Sequence, residues 1–374
     1  MRLRPPLVAI GTLTAAGLAL LAWDLDHAAL GAGPGTGARA TRVAASPQFG
    51  DGIFVNPWPF AMATGDSMAT VLREYAFGDA PRTPIDPLPV ETPDLAAPPA
   101  DGLRVTWLGH STLLVELDGR RVLTDPHFTE RASPFRHLGP RRFHPPPLSV
   151  AALPPLDAVL LSHDHYDHLD RGTVAQLAER VPEWHVPLGV GAHLEAWGIP
   201  PERVVEHDWW EGATLAGDVP LTLTATPSQH FSGRGLGDRF RTLWSSWVIA
   251  TPAHRVYFSG DTGYHPAFGE IARRLGPFDL AALEAGAWNA AWADVHLGPQ
   301  GFLNAAVDLG KPTVMPIHWA TFDLATHGWK WPAEEIARKA GGMGVTVTTP
   351  RLGGAFAPSG TVGRPTEAWW ASLR

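Results

Sequence analysis

The apolar run Ala158-Val159-Leu160-Leu161 breaks at Ser162 into His163-Asp164-His165-Tyr166-Asp167-His168-Leu169-Asp170. So many ionisable side chains directly behind a strand-like run imply a shared task, because each would otherwise carry its own desolvation cost. Alternate side chains of an extended segment point the same way, so His163 and His165 can grip one cation; once the chain turns, Asp167 and His168 can serve a second. Single ligand-type residues recur downstream, each just past a strand-like run: His230 in Pro227-Ser228-Gln229-His230, Asp261 in Ser259-Gly260-Asp261-Thr262-Gly263, and His318 in Pro316-Ile317-His318-Trp319. The fold must therefore gather several strand ends at one edge.

The chain has no cysteine, which excludes disulfides and thiolate nucleophiles and leaves His, Asp and Glu to build any metal site. Imidazole and carboxylate without thiolate suit zinc best, with iron and manganese as alternatives. The ligands are too many for one tetrahedral ion. They divide into His163, His165 and His230 on one ion and Asp167, His168 and His318 on the other, with Asp261 bridging both. Two divalent ions roughly 3.5–4 Å apart can share a hydroxide that is nucleophilic at neutral pH. Such a site is net positive and attracts anionic esters. A formal net charge of −8 without a dense Lys/Arg run argues against nucleic acid as a partner, and 45% hydrophobic residues exclude disorder as the main theme.

Arg2 and Arg4 precede an uncharged stretch from Leu7 to Trp23, followed by Asp24 and Asp26. Residues 1–24 read as an export signal or membrane anchor that places the rest of the chain outside the cytoplasm, in the periplasm or cell envelope; a buried N-terminal helix is the alternative. Residues 25–48 lack periodicity and read as a flexible tether. Residues 49–100 form an extension with a short amphipathic helix over Asp66–Phe77, whose Met68, Val71, Leu72 and Tyr75 stripe suits packing on the domain or contact with lipid. A proline-rich connector over 81–100 follows. From residue 101 to 360, β-branched runs alternate with helical patterns, and 361–374 is a C-terminal tail. Strands are expected at Leu103–Leu108, Thr112–Leu117, Arg121–Thr124, Asp157–Leu161, Leu221–Thr226, Trp247–Ala250, Arg255–Phe258, Leu280–Leu283, Thr313–Ile317 and Val345–Thr348. Helices are expected at Thr173–Arg180, Pro299–Leu309 and Pro332–Ala340, the last ended by Gly341-Gly342. Two sheets packed face to face with helices outside them accommodate this order.

The His163-x-His165-x-Asp167-His168 motif, with His230, Asp261 and His318, resembles that of the metallo-β-lactamase fold. The resemblance implies an α/β, four-layer αββα sandwich with a dinuclear metal site at one edge. Trp107-Leu108-Gly109-His110-Ser111-Thr112, Leu123-Thr124-Asp125-Pro126, Arg131-Ala132-Ser133-Pro134, Gly260-Asp261-Thr262-Gly263-Tyr264 and Ile317-His318-Trp319-Ala320-Thr321-Phe322 are similar to segments of the N-acyl-phosphatidylethanolamine-hydrolysing phospholipase D group and its bacterial relatives. That similarity implies a dinuclear zinc hydrolase, a phosphodiesterase acting on lipid or small anionic esters, with membrane association through the N-terminal segment. A lactonase or esterase of the same fold and a metal-binding envelope protein without turnover are the alternatives. The chain departs from the lipid-cleaving members at Leu283-Glu284-Ala285-Gly286-Ala287-Trp288, where they share Pro-Ile-Gly-Ala-Tyr, and at Val295-His296, where they have Gln-His.

Catalytic roles are expected for Asp167 and for His296, the latter as general acid toward the leaving oxygen or as oxyanion donor. Asp125 is placed to orient a ligand histidine through its second ring nitrogen. His110, in a turn, suits a structural role or a supporting role at the site equally. His127, His137, His144, His185, His193, His207, His254, His265 and His327 lack such neighbours in sequence and read as surface or loop histidines. Trp209, Trp210, Trp244, Trp247, Trp288, Trp292 and Trp319, near strand ends or loops, either fill the core or line an apolar acyl groove or an interfacial surface.

Overall fold

The computed structural model describes residues 17, 19–61, 65–358 and 368–374. After a hairpin of β1 (Phe49–Gly50) and β2 (Ile53–Phe54) come β3 (Leu103–Trp107), β4 (Leu113–Leu117), β5 (Arg120–Thr124), β6 (Ala158–Leu160), β7 (Glu183–Pro187) and β8 (Val204–His207). The second half supplies β9 (Gly212–Leu215), β10 (Leu221–Thr226), β11 (Ser246–Ala250), β12 (Arg255–Phe258), β13 (Leu280–Glu284) and β14 (Thr313–Ile317), and β15 (Ala355–Phe356) returns to the first sheet. The sheets are ordered β15-β3-β4-β5-β6-β7-β8 and β14-β13-β12-β11-β10-β9. Both are mixed: β5 to β8 run parallel, as do β12 to β14, and the other pairs are antiparallel. Asp118 and Gly119, both at positive φ, form the two-residue turn that joins β4 to β5, the geometry whose twist matches a hairpin.

Alternation along each strand divides the core into layers. Leu113, Val115 and Leu117 of β4, Val256 and Phe258 of β12 and Leu280 and Ala282 of β13 meet between the sheets. Leu114, Leu123 and Val159 face the other way and pack on the helix Arg171–Leu177 through Val174 and Leu177. Tyr257, Ala281, Leu283 and Val314 do the same on the second sheet, against the helices Ala267–Leu275, Gly298–Asp308 and Trp331–Met343. Helix, sheet, sheet, helix is the four-layer order expected. Parallel strands end on a common side, and β5, β6, β12, β13 and β14 bring their carboxyl ends to one edge of the sandwich.

Several expectations are corrected. The stretch read as a tether is docked: a 3-10 turn at His27–Leu30 is capped by Asp26, and a helix runs over Ala38–Ala44. Arg39 of that helix pairs with Glu195 and Glu206, and Val43 enters a cluster with Phe54, Leu188, Trp209, Leu243 and Trp244. One valine and one arginine doing this work leave no periodic trace. The last long helix runs through Gly341-Gly342 to Met343 and ends at Gly344, whose φ of 65° is the left-handed stop. Val345–Thr348 is no strand; only Val347 bridges β14. Helix Gly65–Phe77 buries Val71 but leaves Leu72 and Phe77 exposed. The described part of the tail belongs to the core, since Trp369 and Trp370 pack on Trp319 between the sheets. Among the described residues no helix is long and apolar enough to cross a membrane; most of the segment read as signal or anchor lies outside them.

Candidate metal centre

The chain leaves β6 at Leu160 and turns through Ser162 into His163 and His165, whose ring atoms Nε2 and Nδ1 lie 2.8 Å apart. His230, in the segment after β10, brings its Nε2 to 3.2 Å from the same Nδ1. Asp167 and His168 follow on the turn. Asp167 Oδ2 lies 3.3 Å from His168 Nε2, 3.1 Å from His318 Nε2 and 2.8 Å from His110 Nε2. Asp261, past β12, stands between the groups: Oδ1 is 3.2 Å from His168 Nε2, and Oδ2 is 3.0 Å from His318 Nε2, 3.8 Å from His230 Nε2 and 4.0 Å from His163 Nε2. The residues singled out as ligands are therefore gathered: His163, His165 and His230 form one close group, Asp167, His168 and His318 another that also takes in His110, and Asp261 groups both with His163 and His168 and with His230 and His296.

The donor set fits divalent metal. Zinc–nitrogen bonds of about 2.0–2.1 Å at tetrahedral angles hold ligand atoms about 3.3 Å apart, close to the separations around His165. His168 Nε2 and Asp261 Oδ1 are buried without hydrogen-bond partners, orphans that a cation between them would satisfy. Supporting bonds fix which ring nitrogen is free. Asp125 accepts at Oδ2 from His168 Nδ1 (2.7 Å) and from the Ser162 hydroxyl, which in turn accepts from His163 Nδ1 (2.9 Å). The Val295 carbonyl accepts from His230 Nδ1 at 2.9 Å. In the neutral form of each ring Nε2 is thereby the nitrogen left for a ligand role.

Burial pushes His163, His165 and His230 below the ordinary imidazole range, which keeps them in the neutral form that metals require. Burial would lower His168 and His318 as well, but Asp261 and Asp167 hold both rings up, His318 to about 10. Protons there answer the carboxylates' demand for positive charge, a role that a bound cation would take over.

His110, left open between structural and site roles, contacts Asp167 directly and is buried. His296 Nδ1 donates to Glu284 Oε1 at 2.6 Å, and Glu284 Oε2 accepts from the Thr262 amide. Glu284 was missed as a site residue; burial pushes its carboxyl above the ordinary carboxylate range while the neighbouring His296 opposes that shift. The signal available was position: Glu284 ends β13, between the strands that deliver Asp261 and His318. Gly286, two residues on, permits the close approach of that segment, since a Cβ there would lie 2.1 Å from the His318 carbonyl oxygen.

A cavity of about 280 Å³ opens over His165, Asp167, Asp261 and His318. Met68 from the helix Gly65–Phe77, Phe231, Trp292 and Leu324 give it apolar walls, and Arg239 and His296 add polar groups. The Arg239 guanidinium lies over the Phe231 ring at 4.8 Å. Of the tryptophans singled out, Trp292 lines this cavity, whereas Trp209, Trp244, Trp247 and Trp319 are buried in packing clusters.

A model of the beta-lactamase superfamily domain matches residues 120–319. The chain belongs to the beta-lactamase superfamily. It is 45% identical over 332 residues to the uncharacterized protein Rv0906 of Mycobacterium tuberculosis, covering 87% of each chain. It is 38% identical over 234 residues to N-acyl-phosphatidylethanolamine-hydrolyzing phospholipase D 1 of Caenorhabditis elegans, covering 60% of this chain and 66% of that one. Among solved structures, an isothiocyanate hydrolase from Delia radicum gut bacteria shares the superfamily fold with a TM-score of 0.53 and 20% identity, over 68% of this chain and 98% of that one. The superfamily match and the buried ligand set agree on a metal-dependent hydrolase family.

Proposed function

We propose that this superfamily member is a phosphodiesterase of phospholipase D type, acting on N-acyl phospholipids or related anionic esters from an exported or membrane-anchored position. The observation that carries the reading is the cavity: apolar walls suited to acyl chains meet Arg239 and His296 directly over the ligand cluster. The relationship to a nematode phospholipase D supports it. His163, His165 and His230 would hold one ion, Asp167, His168 and His318 a second, and Asp261 both; zinc suits this donor set best. Two divalent ions, when bound, acidify water to supply the nucleophile and neutralise charge developing on the ester oxygens. The chain's own groups do the rest. Arg239 pairs with the anionic ester and orients it. Glu284 fixes the His296 ring through Nδ1, so that a proton at Nε2 is aimed at the departing alkoxide.

The test is turnover of an N-acyl phospholipid, a simple phosphodiester and a neutral lactone by zinc-loaded protein. Phosphodiesters should be preferred. His296→Ala should lower alkoxide-leaving turnover by roughly 10²–10⁴-fold with metal content unchanged, and should cost far less with an activated phenolic leaving group. A lactone turned over much faster than any phosphodiester would replace this reading with a lactonase; no turnover by metal-loaded protein would leave a binding protein.

A further inference from the structure

The metal motif is gripped from behind by the segment that directly follows the N-terminal apolar stretch. Arg234 is buried, and its guanidinium ties together three carbonyls: Nε and Nη2 donate to Ala29 O at 3.0 and 2.8 Å, while Nη1 donates to Asp164 O at 2.5 Å and Leu169 O at 2.9 Å. Its planar face lies over the Tyr166 ring at 4.1 Å, and Trp197 lies 5.1 Å away. The Trp197 indole N–H donates to Ala28 O at 2.6 Å. A second line of contact passes through His193. The Ala32 amide donates to His193 Nδ1 at 3.0 Å, so the ring's Nε2–H faces Asp164 Oδ2 at 3.3 Å. The same carboxylate accepts from the Gly233 amide and the Thr242 hydroxyl, each at 2.8 Å.

Asp164 sits between His163 and His165, so any rotation of its backbone moves two ligand side chains at once. Metal sites tolerate ligand displacements of only about 0.2 Å. Gly31 shows how closely the strap is fitted: at its φ of 75° a Cβ would lie 2.1 Å from His193 Nδ1.

We infer that residues Ala28–Ala32 form a positioning strap for the metal centre, acting through Arg234 and His193 on the backbone at Asp164, so that strap seating and metal affinity rise and fall together. This rests on the reading of the histidine and carboxylate cluster as a metal site. Coupling of this kind is reciprocal, so bound metal must also hold the strap down. A cut or pull on the chain just after Trp23 would then weaken metal retention without touching a ligand.

The experiment uses the full chain and zinc alone. Zinc affinity is measured by chelator competition for wild type, Arg234→Lys, Gly31→Val and Val43→Ala, and hydrogen exchange of the Ala32 amide is followed with and without zinc. Arg234→Lys keeps the charge but loses the paired contact on Ala29 O; it and Gly31→Val should each weaken zinc binding about 10–100-fold. Val43→Ala loosens the neighbouring helix without touching the strap and should stay within about twofold of wild type in zinc affinity, inside the small range of a change that leaves metal-orienting contacts intact. Zinc should slow exchange at Ala32 in wild type and not in Arg234→Lys. Wild-type zinc affinity in both strap variants, an equal loss in Val43→Ala, or zinc-independent exchange at Ala32 overturns the strap. Failure of wild type to bind zinc overturns the metal reading itself.

Discussion

Two sets of histidines in this molecule, all buried except the half-buried His165, behave in opposite ways. At the sandwich edge, His163, His165, His168, His230 and His318 surround Asp167 and Asp261. Away from it, His185 and His207 face each other at 3.0 Å, and His265 is stacked against Trp58 and Phe268 with both ring nitrogens unpartnered. Burial pushes His185 and His265 down to about 3 and His207 to about 4. Burial is common to both sets, so it does not mark the site. What marks it is carboxylates shared among several imidazoles, whereas His185 meets only the more exposed Glu183 at 3.2 Å; the sharing lets some rings stay neutral while others carry the balancing charge.

The sharpest test of that contrast is Asp261→Asn, which removes the carboxylate shared by both groups. Zinc content should fall at both positions, and turnover should drop by more than the roughly 10–100-fold that loss of a supporting partner costs; His207→Gln, from the other set, should keep full zinc content. Elemental analysis and steady-state rates check both. Next in size, Asp125→Asn should weaken zinc binding about 10–100-fold because His168 loses the acceptor that orients it, and chelator competition reads this directly.

Acid stability sharpens the comparison from the other side. His185, His207 and His265 have folded values depressed below the ordinary 6.5, so between roughly pH 6.5 and 3–4 the unfolded chain binds protons that the folded chain refuses. Stability should therefore be fully present above about pH 6.5 and fall as pH drops, with a slope near 1.4 kcal/mol per pH unit for each such ring. Thermal unfolding across that range checks it, and His207→Gln should flatten the slope. The smallest effect is expected for His265→Phe, which replaces an unpartnered ring in an aromatic stack by one of similar shape. Stability at pH 7 should change by less than about 1 kcal/mol and rise increasingly relative to wild type as pH falls below about 6.5, with zinc content unaltered.

Much of the site was legible because its residues come in bursts at strand ends, where polarity breaks an apolar run, as at Leu161-Ser162-His163 and Ile317-His318. The paired sheets were legible from alternation, and the turn at Asp118-Gly119 from its dipeptide. Glu284 was not, because a single carboxylate in Leu-Glu-Ala looks like any strand terminus until its neighbours in the sheet are known. Strands Glu183–Pro187 and Val204–His207 carry His185 and Glu206 among their few apolar residues, and that mixture hid them. His127, His144, His185, His193, His207 and His265, read as surface or loop histidines, are buried; contacts such as His185 with His207, His193 with Asp164 and His144 with Thr321 join residues far apart in sequence.

Strands β12, β13 and β14 lie side by side and parallel, with Phe258 opposite Ala282 and Glu284 opposite Ile317. Each hands one residue to the centre at or just past its end: Asp261, Glu284 and His318. Adjacent strands are held about 4.8 Å apart by their peptide ladder, so the pitch across this half of the centre belongs to the backbone and not to the side chains. It works as a ruler with three marks. What stands at a mark can be rewritten without altering the distance between marks. A residue inserted within β13 would instead turn its alternate side chains to the opposite face, and the ruler would be lost while every ligand remained in the sequence.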